Sequence, residues 1–199
     1  MSSTTQSRDA AHFERIYANS EDPWNFRTSP YERAKYAATM AALQTRRFRA
    51  ALEVGCSIGE LTRLLTKRCD AVHGLDIAAA PLEIARLNCD DLPQVRFSQM
   101  AVPAHWPPGL YDLIMLSEVL YFLAPDDVQA LAERVCQALP PNGVVVLVNW
   151  LGASDDPATG DEAAERFIAA AAPALRLDLQ QRFEQFRIDR MVNNASYTK

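Results

Sequence analysis

The chain predicts an α/β fold in three αβα layers, built on a seven-stranded, mostly parallel sheet with an antiparallel edge hairpin. Three observations carry this. From residue 50 onward, short apolar runs alternate with helical stretches, the rhythm of strand-helix-strand units whose strands run parallel. Two runs, 111–116 and 143–150, are apolar at nearly every position, as suits strands covered on both faces. The last two candidate strands alternate with period two, the mark of an antiparallel pair with one wet face.

The elements follow in order. The first dozen residues are small and polar and are expected to fray, with a short helix over 12–18. Residues 21–26 form a loop by their Pro and Asn content. Ser29 then reads as an N-cap and Pro30 as the first helical residue, opening a helix over 31–46 whose shallow apolar face is largely alanine. A strand at 50–54 leads to a helix at 59–67, and a strand at 70–75 to a helix at 79–88. Strands at 94–99 and 111–116 come next. The helix at 125–139 carries Asp126 and Asp127 near its positive end, and a strand follows at 143–150. A polar loop, 152–160, precedes an Ala-rich helix at 161–172, and the hairpin strands are 175–179 and 186–190. No repeat or linker interrupts the chain. It is read as one domain over 1–199, with 1–48 an N-terminal helical lid and 49–199 the α/β core.

Composition narrows the function. The chain has 199 residues, 49% hydrophobic and 23% charged, with 20 basic against 25 acidic side chains and a net charge of -5. That length buries a full core without a staple. Binding a phosphate backbone takes clustered Lys and Arg, and no stretch gathers them, so no nucleic-acid partner is expected. Cys56, Cys69, Cys89 and Cys136 include no C-x-x-C pair and have no His at ligand spacing, so no metal site is expected either. No leader-like segment and no apolar run near the ~20 residues of a membrane span occurs. A cytoplasmic protein without a membrane partner, a monomer or homodimer, is the expectation.

The strongest motif is Leu52-Glu53-Val54-Gly55-Cys56-Ser57-Ile58-Gly59, between the first strand and the first core helix. Glycines there let a backbone approach a bound group, and the helix offers unpaired N–H donors; they also permit a tight turn with no ligand at all. Asp76, about 20 residues further on at the end of the second strand, stands where a carboxylate holds a nucleotide ribose. An Asp at a strand end can also simply cap the next helix. A dinucleotide fingerprint would need G-x-G-x-x-G, but Ser57 replaces the middle glycine and no third follows. The same residues read G-x-S-x-G, a hydrolase nucleophile elbow. That reading lacks a late histidine, since only His73 and His105 follow, and lacks preceding strands to supply an oxyanion hole.

This turn, Asp76 and the run from Tyr111 to Tyr121 resemble the class I S-adenosylmethionine-dependent methyltransferases, which implies a Rossmann-like sheet. Asp22-Pro23-Trp24, Ser29-Pro30-Tyr31-Glu32-Arg33 and the Glu-Val-Leu-Tyr-Phe-Leu run at 118–123 resemble, more narrowly, the NodS group of nodulation N-methyltransferases acting on deacetylated chitooligosaccharides. The resemblance spans about residues 22 to 150. It implies S-adenosyl-L-methionine as cofactor, S-adenosyl-L-homocysteine as product and a small-molecule or oligosaccharide acceptor. Glu53 and Gly55 would line the methionine part, and Cys56, Ser57 and Gly59 of the same turn would belong to the cofactor site. Asp76 would take the ribose hydroxyls and Ile77 would cover the adenine. The acid that receives the adenine amino group in this superfamily is replaced by Ala101, which leaves backbone groups and packing from Met100 and Val102. Ser117 and Glu118 would lie beside the transferable methyl.

Methyl transfer from a sulfonium is an in-line displacement, so alignment supplies much of the rate. An amine acceptor must arrive neutral, and a carboxylate or tyrosine near the methyl can orient it and take a proton. Glu118 and Tyr121, three residues apart, are the catalytic candidates; a capping carboxylate and a core tyrosine are the structural alternative. Trp24, Tyr31 and Arg33 of the lid could close over the cofactor, the guanidinium forking onto its carboxylate, with Lys35 a weaker candidate for that pairing. Asp155 and Asp156 could attract a protonated amino sugar. The favoured function is N-methylation of an amino sugar or oligosaccharide. A small-molecule O-methyltransferase and a catalytically silent cofactor-binding subunit, the latter suggested by Ala101, are the alternatives.

Overall fold

The computed structural model describes residues 6–153 and 155–194. Among them, in chain order, lie α1 (Ala10–Asn19), α2 (Pro30–Ala42), β1 (Ala51–Val54), α3 (Glu60–Leu65), β2 (Val72–Asp76), α4 (Ala79–Asn88), β3 (Val95–Gln99) and β4 (Leu113–Ser117). A single 3₁₀ turn (Leu120–Phe122) precedes α5 (Pro125–Ala138), β5 (Val144–Trp150), α6 (Gly160–Ala171), β6 (Leu175–Arg182) and β7 (Phe186–Asn193).

One seven-stranded sheet has the order β3-β2-β1-β4-β5-β7-β6. β1 to β5 pair in parallel, and β7 joins antiparallel between β5 and β6. The strand order reverses between β1 and β4, and in an open parallel sheet ligands bind outside the carboxyl ends at such a switch point. Asp112 locks that central pairing from the other end, its carboxylate accepting from the Arg49 and Ala50 amides at 3.0 and 2.9 Å.

Alternation along the strands divides the apolar core in two. Leu52, Val54, Ile114, Leu116, Val145 and Leu147 face α5 and α6, meeting Leu131, Val135 and Phe167. Ala51, Leu113, Met115, Val146 and Val148 face α2 and α3, meeting Ala42, Leu61 and Leu65. These are the outer layers of the αβα arrangement.

The helix starts have local causes. Ser29 accepts from the Glu32 amide with Pro30 at the first helical position, and Thr159 and Glu162 form a reciprocal capping box on α6. α2 ends at Ala42, short of the expected 46, because Gln44 turns into the left-handed region at φ 58° and donates to the Ala41 carbonyl.

Two expectations are corrected. Of the expected fraying segment, residues 1–5 lie outside the described residues, but 7 and 8 are docked: the Arg8 amide donates to the Phe122 carbonyl at 2.8 Å, and the Ala124 amide donates to Ser7 Oγ at 2.8 Å. The hairpin has a wet face only on β6. β7 is buried almost throughout, because it is inserted beside β5 and its charges are neutralised in place. Arg187 reaches Asp189, Asp161 and Glu165 at 2.7–2.9 Å, and Arg190 reaches Asp178 at 2.9 Å.

Candidate functional site

A cavity of about 540 Å³ opens at the carboxyl ends of β1, β2 and β4, walled by the glycine turn after β1 and roofed by α1 and α2. The turn is tight because the Gly55 and Cys56 amides both donate to the Leu75 carbonyl at 2.8 Å. Gly55 sits at φ 74°, and a Cβ there would stand 2.5 Å from Val119 Cγ2, so only glycine leaves this wall open. Gly59, also at positive φ, does not line the cavity. Its missing side chain lets α3 close on α4, where Ala85 and Cys89 would be 3.2–3.3 Å from a Cβ.

Two buried carboxyl groups face the cavity from strand ends. Asp76 accepts from the Ser57 and Ala78 amides at 2.9 and 3.0 Å, and burial pushes its pKa up to about 6. It therefore both ties the turn to the start of α4 and lines the cavity. Glu53 is 2% exposed and accepts from Thr62 Oγ1 at 2.5 Å. Burial raises its pKa to about 8. Ile77, Met100 and Val102 supply an apolar wall beside Asp76, and Ala101 between them does not line the cavity.

At the end of β4, Ser117 and Glu118 line the floor. The Glu118 carboxylate caps no helix. One oxygen accepts from Lys35 Nζ at 2.8 Å, the other from the Tyr121 hydroxyl at 2.6 Å and the Trp150 amide at 3.0 Å. Lys35 also donates to Glu32 at 3.0 Å and stands 5.0 Å from the Tyr31 ring centroid. Burial alone would lower the Lys35 pKa; Glu118 and Glu32 outweigh it, and the net shift is upward. Burial raises the Glu32 carboxyl. The Tyr31 hydroxyl and Glu32 Oε2 are buried with no partner among the described residues.

The N-terminal segment over the cavity is assembled differently from the sequence expectation. Trp24 lines the cavity and packs edge-on against Tyr17, whose hydroxyl hydrogen-bonds Ser57 Oγ. Tyr31 lines the cavity as well. Arg33 does not: it points away on the exposed face of α2, and its guanidinium is spent on the Thr28 carbonyl at 2.6 Å. Two residues on, Lys35 is the α2 cation that faces inward. Asp155 and Asp156 reach the cavity rim, where Arg8 Nε meets Asp156 at 3.0 Å.

Glu32, Tyr17 and Tyr36 line the cavity without having been singled out from the sequence. Glu32 had a signal, its i,i+3 spacing to Lys35 on one helix face. Among the described residues no group of three or more His, Cys, Asp or Glu could hold a metal, and no helix is long and apolar enough to cross a membrane.

A switch-point cavity under a glycine turn, a carboxylate at the β2 end and an antiparallel β7 between β5 and β6 together define the Rossmann-like methyltransferase fold. The chain belongs to the NodS family: the family model described as Nodulation protein S (NodS) matches residues 7–154. It is similar to Nodulation protein S of Bradyrhizobium diazoefficiens, 30% identical over 106 residues, covering 52% of this chain and 50% of that protein. It thus spans about half the length of that curated relative. A ubiquinone biosynthesis O-methyltransferase of Pectobacterium carotovorum is 34% identical over 97 residues, covering 47% of this chain and 40% of that one. The fold is shared with the crystal structure of the N-methyltransferase NodS from Bradyrhizobium japonicum in complex with S-adenosyl-L-homocysteine. There the TM-score is 0.82 at 21% identity, over 94% of this chain and 98% of that one.

Proposed function

We propose that this protein is an S-adenosyl-L-methionine-dependent methyltransferase that N-methylates an amino sugar or oligosaccharide, working as a single unit with residues 1–48 as its lid. The observation that carries the reading is the Asp76 carboxylate, buried at the β2 end and turned to the cavity beside the Gly55 turn. Those residues fit the cofactor. A carboxylate accepts two ribose hydroxyls, the apolar wall of Ile77, Met100 and Val102 suits an adenine, and the bare Gly55 backbone admits the methionine end. The bound cofactor supplies an electrophilic methyl on a sulfonium. The chain supplies alignment, a largely apolar chamber and a place for the acceptor proton.

The family and the two carboxylates paired with Lys35, Glu32 of α2 and Glu118 at the β4 end, support an amine acceptor. Similarity to an O-methyltransferase supports a second reading, a hydroxyl acceptor. The test is calorimetry with S-adenosylhomocysteine, then mass spectrometry of a sugar-amine and phenol panel with labelled methyl donor. Binding followed by label on nitrogen is expected. Label only on oxygen would favour the second reading, and absence of binding would overturn both.

A further inference from the structure

Glu118 is the acid that the resemblance implies beside the transferable methyl, yet most of its carboxylate's acceptor positions are already taken. Three donors, Lys35 Nζ, the Tyr121 hydroxyl and the Trp150 amide, hold its two oxygens at 2.6–3.0 Å. A proton acceptor needs a lone pair that faces the substrate. The other carboxylate on Lys35 keeps a free oxygen: Glu32 is 5% exposed and lines the cavity, its Oε1 accepts from Lys35, and its Oε2 is buried with no partner among the described residues. The neighbouring Tyr31 hydroxyl is likewise buried without one.

We propose that Glu32, not Glu118, takes the proton of the acceptor amine, and that Lys35 fixes Glu118 as a standing counter-charge. The assignment rests on the methyltransferase reading above. Two carboxylates around one ammonium leave this end of the cavity with one net negative charge, which a protonated amine complements and a hydroxyl does not. The amine N–H⁺ donates to Glu32 Oε2 and the proton crosses to oxygen. The freed nitrogen pair forms the C–N bond as the C–S bond breaks, and sulfur keeps that bond's electrons as a neutral thioether. The product leaves as a methylammonium, and Glu32 returns its proton to water. Burial, by raising the Glu32 carboxyl, brings it closer to an amine in proton affinity.

The groups that set its titration are Lys35, Tyr31 and Tyr36 on α2, Asp22 in the preceding loop and Glu118 after β4. The experiment uses the full chain with S-adenosylmethionine and a chitosan tetramer, reading kcat/KM between about pH 6 and about pH 10. Glu32→Gln should lose at least about tenfold at neutral pH and regain most of that at alkaline pH, where the amine is already neutral. Its affinity for S-adenosylhomocysteine should stay within about twofold. Equal rates at neutral pH, or a loss uniform across the range, would overturn the assignment. Should Glu32→Gln not fold, Glu32→Asp carries the test: a lower rate with the acid limb retained is expected, and an unchanged rate overturns the proposal. A chain that binds S-adenosylhomocysteine but methylates no tetramer also overturns the role of Glu32, whereas failure to bind S-adenosylhomocysteine overturns the reading beneath it.

Discussion

A lysine ammonium withdrawn from water costs several kcal/mol unless it is paired, and Lys35, 3% exposed, meets that cost with Glu32 and Glu118. Removing the ammonium strands two carboxylates. Lys35→Met should therefore destabilise the fold by about 3–5 kcal/mol, read as a lower urea midpoint at unchanged slope. Glu53 sets a pH dependence of opposite origin. Its folded pKa of about 8 stands above the ordinary 4.5, so the folded chain keeps a proton that the unfolded chain releases. That contribution is complete below the unfolded pKa and is lost as the pH rises through the folded one. Glu53→Gln, which cannot ionise, should gain stability relative to the parent between about pH 5 and about pH 8 in thermal melts; a constant difference would remove Glu53 as the cause. Asp76, raised to about 6, acts in the same sense but is common to both proteins. At this scale the glycine turn and Asp76 were legible, because strand-end positions follow from strand boundaries. Arg33 was not. The inward face of α2 is Glu32, Lys35, Thr39 and Ala42, and only that helical phase, not the better fork chemistry of arginine, decides which cation enters the cavity.

Element order, strand pairing type and most helix starts could be read from the chain, because each rests on local signals: Ser29 and Pro30 opening α2, Asp126 and Asp127 in the first turn of α5, the apolar run of β5. The burial of β7 could not. Its Phe-Arg-Ile-Asp-Arg alternation is the pattern of a half-exposed strand, and what hides its charges is partners on α6 and β6 that sequence spacing does not bring together. Arg187 and Arg182 both contact Asp161, at 2.9 and 2.6 Å, but Arg187 is buried and Arg182 exposed. Arg187→Met leaves the fully buried Asp189 without its counter-ion and should cost about 3–5 kcal/mol. Arg182→Ala, at an exposed and solvent-screened pair, should leave the unfolding midpoint almost unmoved. Paired chemical-denaturation curves decide, and equal losses would contradict the burial assigned to β7.

For the whole molecule, a ligand that binds only the folded chain stabilises it by about 2.7 kcal/mol at a hundredfold excess over its Kd. With a melting shift of about 2–4 °C per kcal/mol for a chain of this size, saturating S-adenosylhomocysteine should raise the melting temperature by roughly 5–11 °C. The Asp76→Ala protein should show a much smaller rise at the same concentration. No change for the parent protein in a calorimetric scan would speak against a cofactor in the β1-β2-β4 cavity.

The antiparallel insertion of β7 also points that strand away from the chamber. Phe186 pairs with Trp150 at the cavity end of the sheet, and Val192 pairs with Val144 at the opposite end, so the backbone at Asn193 travels away from the chamber. Ser7 and Arg8, by contrast, lie against its rim through Asp127, Phe122 and Asp156. The two described ends of the chain are thus set apart along the sheet, with Arg8 at the mouth of the chamber and Asn193 at the end of the strands furthest from it.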